Sequence, residues 1–323
     1  MYITRFIFFA ILFGIYVYNC NGYSHISSWS WKNCNVHYIH QLSEEKNESN
    51  NEKRKQPALL LLHGFGASTY HWRDNVDILS QYYDVYALDL VGFGKSDKPI
   101  DMVYNLELWD NQVISFIDEV IQGPTVVVGN SLGGCIALNI NNYNLVYGTI
   151  LLNAYGNFHT PTILPPVFLN ISEHVIDSFL TWFIPPYLQY MKNDQHIQKL
   201  MRQLYPVVPQ RVDKNLIHSI RSPLFDAHVP FVLKSMMKEY LLPKHVPNVV
   251  DRNKKPMHII WGTKDPWIRQ KMLKNIMKIY DHASVTCLEA GHCPHDELPH
   301  IVNQYILTFL DDCIQYEKNK SNY

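Results

Sequence analysis

The 323-residue sequence predicts an α/β architecture: a mostly parallel sheet with helices on both faces and an inserted helical cap. Three observations predict it. Continuous apolar runs of strand length, "ALLLLHG" (58–64), "TVVVG" (125–129) and "MHIIWG" (257–262), stop at glycine, as strands buried on both faces do. Amphipathic helical stretches alternate with these runs, and repeated βα units build parallel sheets covered on both sides. The alternation breaks over 156–250, where prolines and aromatics crowd together, and then resumes.

The first 22 residues stand outside this pattern. Arg5 precedes an apolar run from Phe6 to Tyr18. That run is too short for a bilayer span of about 20 residues. It suits the apolar region of a secretory signal peptide, with Cys20 and Gly22 near a cleavage point; an uncleaved signal anchor is the alternative. The secretory pathway or an endomembrane compartment is the expected location, and Asn47, Asn170 and Asn319 head glycosylation sequons that such a route would expose. Residues 23–155 and 251–323 then form the core and 156–250 the cap.

"WSWKNCNVHYIHQ" reads as an N-terminal hairpin, joined by the charged loop 43–56 to the first buried strand. Residues 68–83 read as a helix capped by Ser68, with Trp72, Val76, Leu79 and Tyr83 on one stripe. "DVYALDL" (84–90) is a strand. Residues 105–121 repeat apolar side chains at helical spacing, 131–140 form an apolar helix, and "GTILLNA" (148–154) is a strand. The cap region predicts short helices and no strand of the main sheet. Beyond it come a helix over 269–280, the strand "ASVTCLEA" (283–290) and a helix over 300–313 with Val302, Tyr305, Ile306, Phe309 and Leu310 inward.

The formal net charge of −1 leaves no electrostatic footprint for nucleic acid. The scattered cysteines lack metal-ligand spacing, and Cys135 reads as a small core residue. Gly92 and Gly94 complete neither a dinucleotide nor a phosphate-loop pattern. No metal or organic cofactor is implied, and oligomeric state is not encoded legibly.

Chemistry gathers at the strand ends. Ser131 lies between Gly129 and Gly133, just past "TVVVG", in the G-x-S-x-G pattern of a serine held out on a sharp strand-to-helix turn. An isolated match is weak, since a capping serine in a glycine-rich turn looks the same. Here "HGFG" follows an earlier strand, so the Phe65 N–H and the Leu132 N–H can converge on one oxyanion. His63 reads as a buttress of that loop, and Asn130 as structural. Asp265 lies past "IIWG" and His292 past the last strand, beside Gly291. Serine is inert until an imidazole takes its proton, and the imidazole needs a carboxylate to fix its tautomer. His295 competes with His292; His292 follows the strand-end glycine directly.

These motifs, "HGFGAS", "ALDLVGFGKSDKP", "GNSLGG", "WGTKDPW" and "AGHCPHDELP", together resemble the α/β-hydrolase superfamily over about residues 29–312. They are most similar to its plant and cyanobacterial, pheophytinase-like branch of plastid-type serine hydrolases. The resemblance implies Ser131 as nucleophile, Asp265 as acid, His292 as base, and Phe65 and Leu132 as the oxyanion hole. It also implies that epoxide-hydrolase and dehalogenase chemistry, which needs an aspartate at the elbow, is disfavoured by Ser131. A plastid-like organelle reached through the secretory route joins the expected locations.

The expected activity is hydrolysis of a small-molecule hydrophobic or lipid-like carboxylic ester. The aromatic cap suggests an apolar pocket and leaves contact with membrane lipid open. Carbon–carbon or thioester hydrolysis on the same triad is one alternative, for which Arg202, Arg211 and Arg221 could hold an acidic substrate. A non-catalytic binding protein on a hydrolase scaffold is the other.

Overall fold

The computed structural model describes residues 25–43, 56–155, 173–241 and 255–320. The signal-like segment, most of the charged loop, both ends of the cap, and the sequons at Asn47 and Asn170 lie outside these residues. An eight-stranded sheet forms the centre. Its strands are β1 (His25–Trp31), β2 (Cys34–Gln41), β3 (Ala58–Leu62), β4 (Val85–Leu88), β5 (Thr125–Asn130), β6 (Val146–Leu152), β7 (Met257–Gly262) and β8 (Ser284–Leu288). Their order across the sheet is β1-β2-β4-β3-β5-β6-β7-β8. β2 runs antiparallel to both neighbours; every other pairing from β4 to β8 is parallel. The predicted hairpin is β1 and β2.

Period-two alternation divides each buried strand between two cores. Leu60 and Leu62 of β3 point to one face, with Val127, Leu151 and Ile259. Helices α2 (Leu106–Phe116), α3 (Leu132–Asn139) and α8 (Gln270–Ile279) cover that face through Trp109, Val113, Ile136 and Ile276. Leu59 and Leu61 point to the other, with Val126, Val128 and Ile150. There α1 (Val76–Leu79) and α10 (Pro299–Lys320) cover the sheet through Val76, Leu79, Val302, Ile306 and Phe309. This double covering is why β3 and β5 read as unbroken apolar runs.

The single helix predicted over 68–83 is not observed. A 3₁₀ turn (Thr69–Trp72) is followed by the short α1. Ser68 does cap the first turn, accepting from Tyr70 N–H at 3.3 Å. Tertiary hydrogen bonds break the helix: Thr69 N–H donates to Asp89 at 2.6 Å, and Asn75 donates to His295 O and to Asn303 at 3.2 and 2.7 Å. Trp72, Val76, Leu79 and Tyr83 still face the core. The segment over 105–121 begins at an Asn105 cap and ends in a π turn over Ile117–Ile121. α10 continues past 313 to Lys320.

The described cap consists of helices α4 (Glu173–Met191), α5 (Asp194–Leu204), α6 (Lys214–Arg221) and α7 (Val229–Leu241), with 3₁₀ turns between them. Two small cores hold it. Ile176, Leu180, Ile184, Leu188 and Val229 form one, and Ile197, Met201, Leu204, Leu216 and Ile217 the other, which reaches Cys293 of the main domain. No helix among the described residues is long and apolar enough to cross a membrane. Cys34, Cys287, Cys293 and Cys313 form no disulfide among the described residues, and Cys135 is a core residue as expected.

Asp89, fully buried past β4, ties the N-terminal hairpin to the sheet end. Its carboxylate accepts from Thr69 N–H at 2.6 Å and Lys95 N–H at 2.8 Å and lies 2.9 Å from His37 Nδ1. Burial opposes its charge, but the His37 hydrogen bond, the nearby histidine rings and the Lys95 N–H outweigh that and hold it below the usual carboxylate range. A depressed native pKa stabilises the fold above the unfolded-state value of about 3.9. Urea denaturation of Asp89→Asn at neutral pH is therefore expected to show a loss of about 3 kcal/mol. That gap from the wild type closes as pH falls through the lower native value.

Candidate active site

β5 ends at Asn130 and α3 begins at Leu132, so Ser131 makes the whole turn alone, at φ +53° and ψ −110°. Such a backbone costs a non-glycine residue about 1–3 kcal/mol and persists only when its surroundings fix it. They do. Ser131 N–H donates to Leu152 O at 3.0 Å, and Ser131 O accepts from Cys135 and Tyr155 N–H, both at 3.1 Å. The turn also demands glycine on either side. A Cβ at Gly129 would run into the Gly133 carbonyl, and one at Gly133 into the Leu62 carbonyl.

The loop after β3 lies directly against this turn. A Cβ placed on Gly64 would sit 3.2 Å from Ser131 Cβ. His63 is fully buried; its Nδ1–H donates to Gly64 O at 2.7 Å, and its Nε2 accepts from Leu90 N–H at 3.1 Å. Burial lowers its pKa, so it is a neutral brace, as its place in the sequence suggested. Phe65 follows Gly64 in this braced loop, and α3 starts with the Leu132 N–H. Neither donates to another backbone group among the described residues.

Asp265 and His292 come from the loops after β7 and β8. His292 Nδ1 and Asp265 Oδ2 are 2.7 Å apart, with both side chains almost fully buried. Asp265 Oδ1 accepts from Trp267 and Ile268 N–H at 2.7 and 3.0 Å. Burial raises the carboxyl pKa, but the His292 hydrogen bond and charge and the two N–H groups outweigh it, so the pKa lies below the ordinary value and the group stays ionised. An acceptor-only carboxylate requires the proton on Nδ1, which leaves Nε2 of His292 as a base. His295 plays no such part. It is fully buried 4.2 Å from the Trp72 ring, and its pKa is pushed down to about 3, chiefly by burial.

Two asparagines lock these pieces together. Asn130 Nδ2 donates to Leu152 O and His292 O at 3.0 and 2.9 Å, joining the serine turn to the histidine loop. Asn153, at the end of β6, was not singled out from the sequence. Its Nδ2 donates to Asp265 Oδ2 at 2.8 Å and its Oδ1 accepts from Gly262 N–H at 2.7 Å. A polar residue closing the apolar run "TILLN" was the available signal. Around the site, Phe65 and Trp267 are each half-exposed, and the Trp267 ring lies 5.3 Å from that of His292.

Known proteins with the same pattern are numerous. The profile of the alpha/beta hydrolase family matches residues 59–304. Chloroplastic pheophytinase of Arabidopsis thaliana is 28% identical over 295 residues, 76% of this chain; the chain spans only 60% of that protein's length. Epoxide hydrolase 4 of Homo sapiens is 29% identical, covering 80% of this chain and 74% of the human protein. The crystal structure of CarC, a serine hydrolase involved in carbazole degradation, superposes with a TM-score of 0.68 at 19% identity. It covers 90% of this chain and 99% of CarC, a likeness of fold.

Asn153→Ala removes a donor to the same carboxylate oxygen that holds His292. Turnover is expected to fall about 10–100-fold with little change in KM, because the imidazole loses its fixed orientation. Steady-state kinetics on any turned-over ester checks this.

Proposed function

The chain belongs to the alpha/beta hydrolase family, and we propose that it is a serine hydrolase of hydrophobic carboxylic esters. The reading rests on one observation above the rest: a strained serine at a strand-end turn, against the loop of Gly64, with a 2.7 Å histidine–carboxylate pair tied to that turn. Ser131 Oγ attacks the ester carbonyl carbon while His292 Nε2 takes its proton. Asp265 stabilises the imidazolium that forms. The oxyanion accepts from the Phe65 and Leu132 N–H groups. Collapse of the tetrahedral intermediate breaks the bond to the leaving oxygen, which takes the proton from His292. Water then attacks the acyl-enzyme, losing its proton to His292, and Ser131 recovers its hydrogen as the acid leaves.

A hydrophobic substrate is supported by the half-exposed Phe65 and Trp267 and by the cap helix α4, which leaves Phe179, Trp182 and Tyr190 exposed. An acidic substrate, as a carbon–carbon hydrolase of the kind considered above would need, finds less support. Of the three arginines that could hold it, Arg211 is paired with Asp74 and Asp296 and Arg221 with Asp194, which leaves Arg202, exposed in the last turn of α5. Epoxide opening through an ester to the enzyme needs a carboxylate at position 131, where this chain has serine. Passage through the secretory route, read from the apolar run over 6–18, belongs to the proposal; a plastid-like destination stands beside it because the pheophytinase relative is chloroplastic.

A p-nitrophenyl ester series from acetyl to palmitoyl tests the reading. The wild type is expected to turn over with a rate that rises with acyl length, and Ser131→Ala to lose about 10⁴-fold or more. Equal rates in the two proteins would remove Ser131 from the mechanism. Stoichiometric ligand binding without turnover would favour the binding-protein alternative.

A further inference from the structure

The cap and the histidine loop meet on one short helix, α9 (Pro294–Glu297), just beyond His292. Its last two residues are buried acids, Asp296 and Glu297, at 1% and 2% exposure. Burial of two adjacent carboxylates is costly unless every oxygen is satisfied. Here the partners come largely from the cap. Asp296 accepts from Tyr205 OH at 2.7 Å and Arg211 Nη2 at 2.7 Å, both cap residues, and from Arg73 Nε of the core at 2.8 Å. Glu297 Oε1 accepts from the N–H groups of Val207 and Val208 at 2.7 and 2.9 Å. Its other oxygen accepts from Gly291 N–H at 2.5 Å, the residue before His292. His292 N–H itself donates to Leu204 O, at the end of cap helix α5, at 3.0 Å.

From these contacts we infer that Glu297 is a positioning residue for His292 and makes the seat of the histidine depend on the cap. One carboxylate spans the cap segment 207–208 and the backbone leading into the imidazole. The Leu204 carbonyl closes the same ring from the other side. The Leu204–Arg211 segment therefore cannot lift as a free lid without withdrawing the Leu204 carbonyl from His292 N–H and the Val207 and Val208 N–H groups from Glu297. Substrate seated against the cap acts on kcat through this path as well as on affinity.

The kinetic part of the test rests on the ester-hydrolase reading; a substrate-free signal does not. Glu297→Gln keeps the size and turns one acceptor into an NH2 that faces a donor. Glu297→Asp keeps the charge and shortens the reach. With both variants still melting above the assay temperature, kcat for p-nitrophenyl butyrate is expected to fall ~10–100-fold with KM changed less than about threefold. The His292 Nδ1 proton, seen by ¹H NMR in the free enzyme, is expected to shift and exchange faster. A merely structural Glu297 would lower the melting temperature and move neither readout, and wild-type kcat in either variant overturns the inference. If neither variant folds, Arg211→Gln loosens the same segment from its half-open end; it is then expected to lower kcat several-fold, and an unchanged kcat overturns it. If the wild type cleaves no ester, the functional reading fails by itself. The Nδ1 proton then decides alone: altered in the variants it supports the inference, unchanged it overturns it.

Discussion

The positive φ of Ser131 is the constraint around which the carboxyl end of the sheet is organised. A serine in that conformation relaxes unless both of its peptide groups are held, and both are held by residues of or just beyond β6. That anchoring works only if β5 and β6 lie side by side in parallel register, with the first turn of α3 pressed onto the end of β3. The glycines at 129 and 133 follow from the same closeness. The sheet order and the packing of α3 thus bear directly on where one hydroxyl points.

Polar side chains then connect loops that the sheet merely brings near each other. Asn130 reaches from the serine turn to the histidine loop, and Asn153 from β6 to Asp265. His63 braces the loop of Phe65, and Asp89 holds the segment that follows it. Each is buried and hydrogen-bonded, so the loops at the strand ends are fixed by directional bonds rather than by apolar contact alone. The cap joins this network through Asp296 and Glu297, which binds it to the histidine and not simply to the rim of the pocket.

Much of the fold was legible because its signals are local. Leu59 to Leu62 form an unbroken apolar run since neighbours on both faces bury alternate residues, and β7 matches its sequence reading residue for residue. The helix expected over 68–83 was not legible. Its apolar stripe is correct, but hydrogen bonds to Asp89, His295 and Asn303, distant in sequence, cut the helix in two. Asn153 and Glu297 escaped notice for a similar reason: a polar residue past a strand or in a short helix acquires meaning only from its partners.

The sequence by itself determined the βα alternation, the break that makes the cap, and the residue types and chain order of Ser131, Asp265 and His292, because periodicity and strand-end glycines are properties of neighbouring residues. The strand-end Gly291 already favoured His292 over His295; the tertiary structure decided that this ring meets the Asp265 carboxylate, at 2.7 Å. The two histidines share one loop and similar neighbours in sequence. Burial against Trp72 strips one of its charge, while the approach of the loop after β7 gives the other its partner. The physical reason lies in distances between chain segments far apart in sequence, which no local pattern encodes.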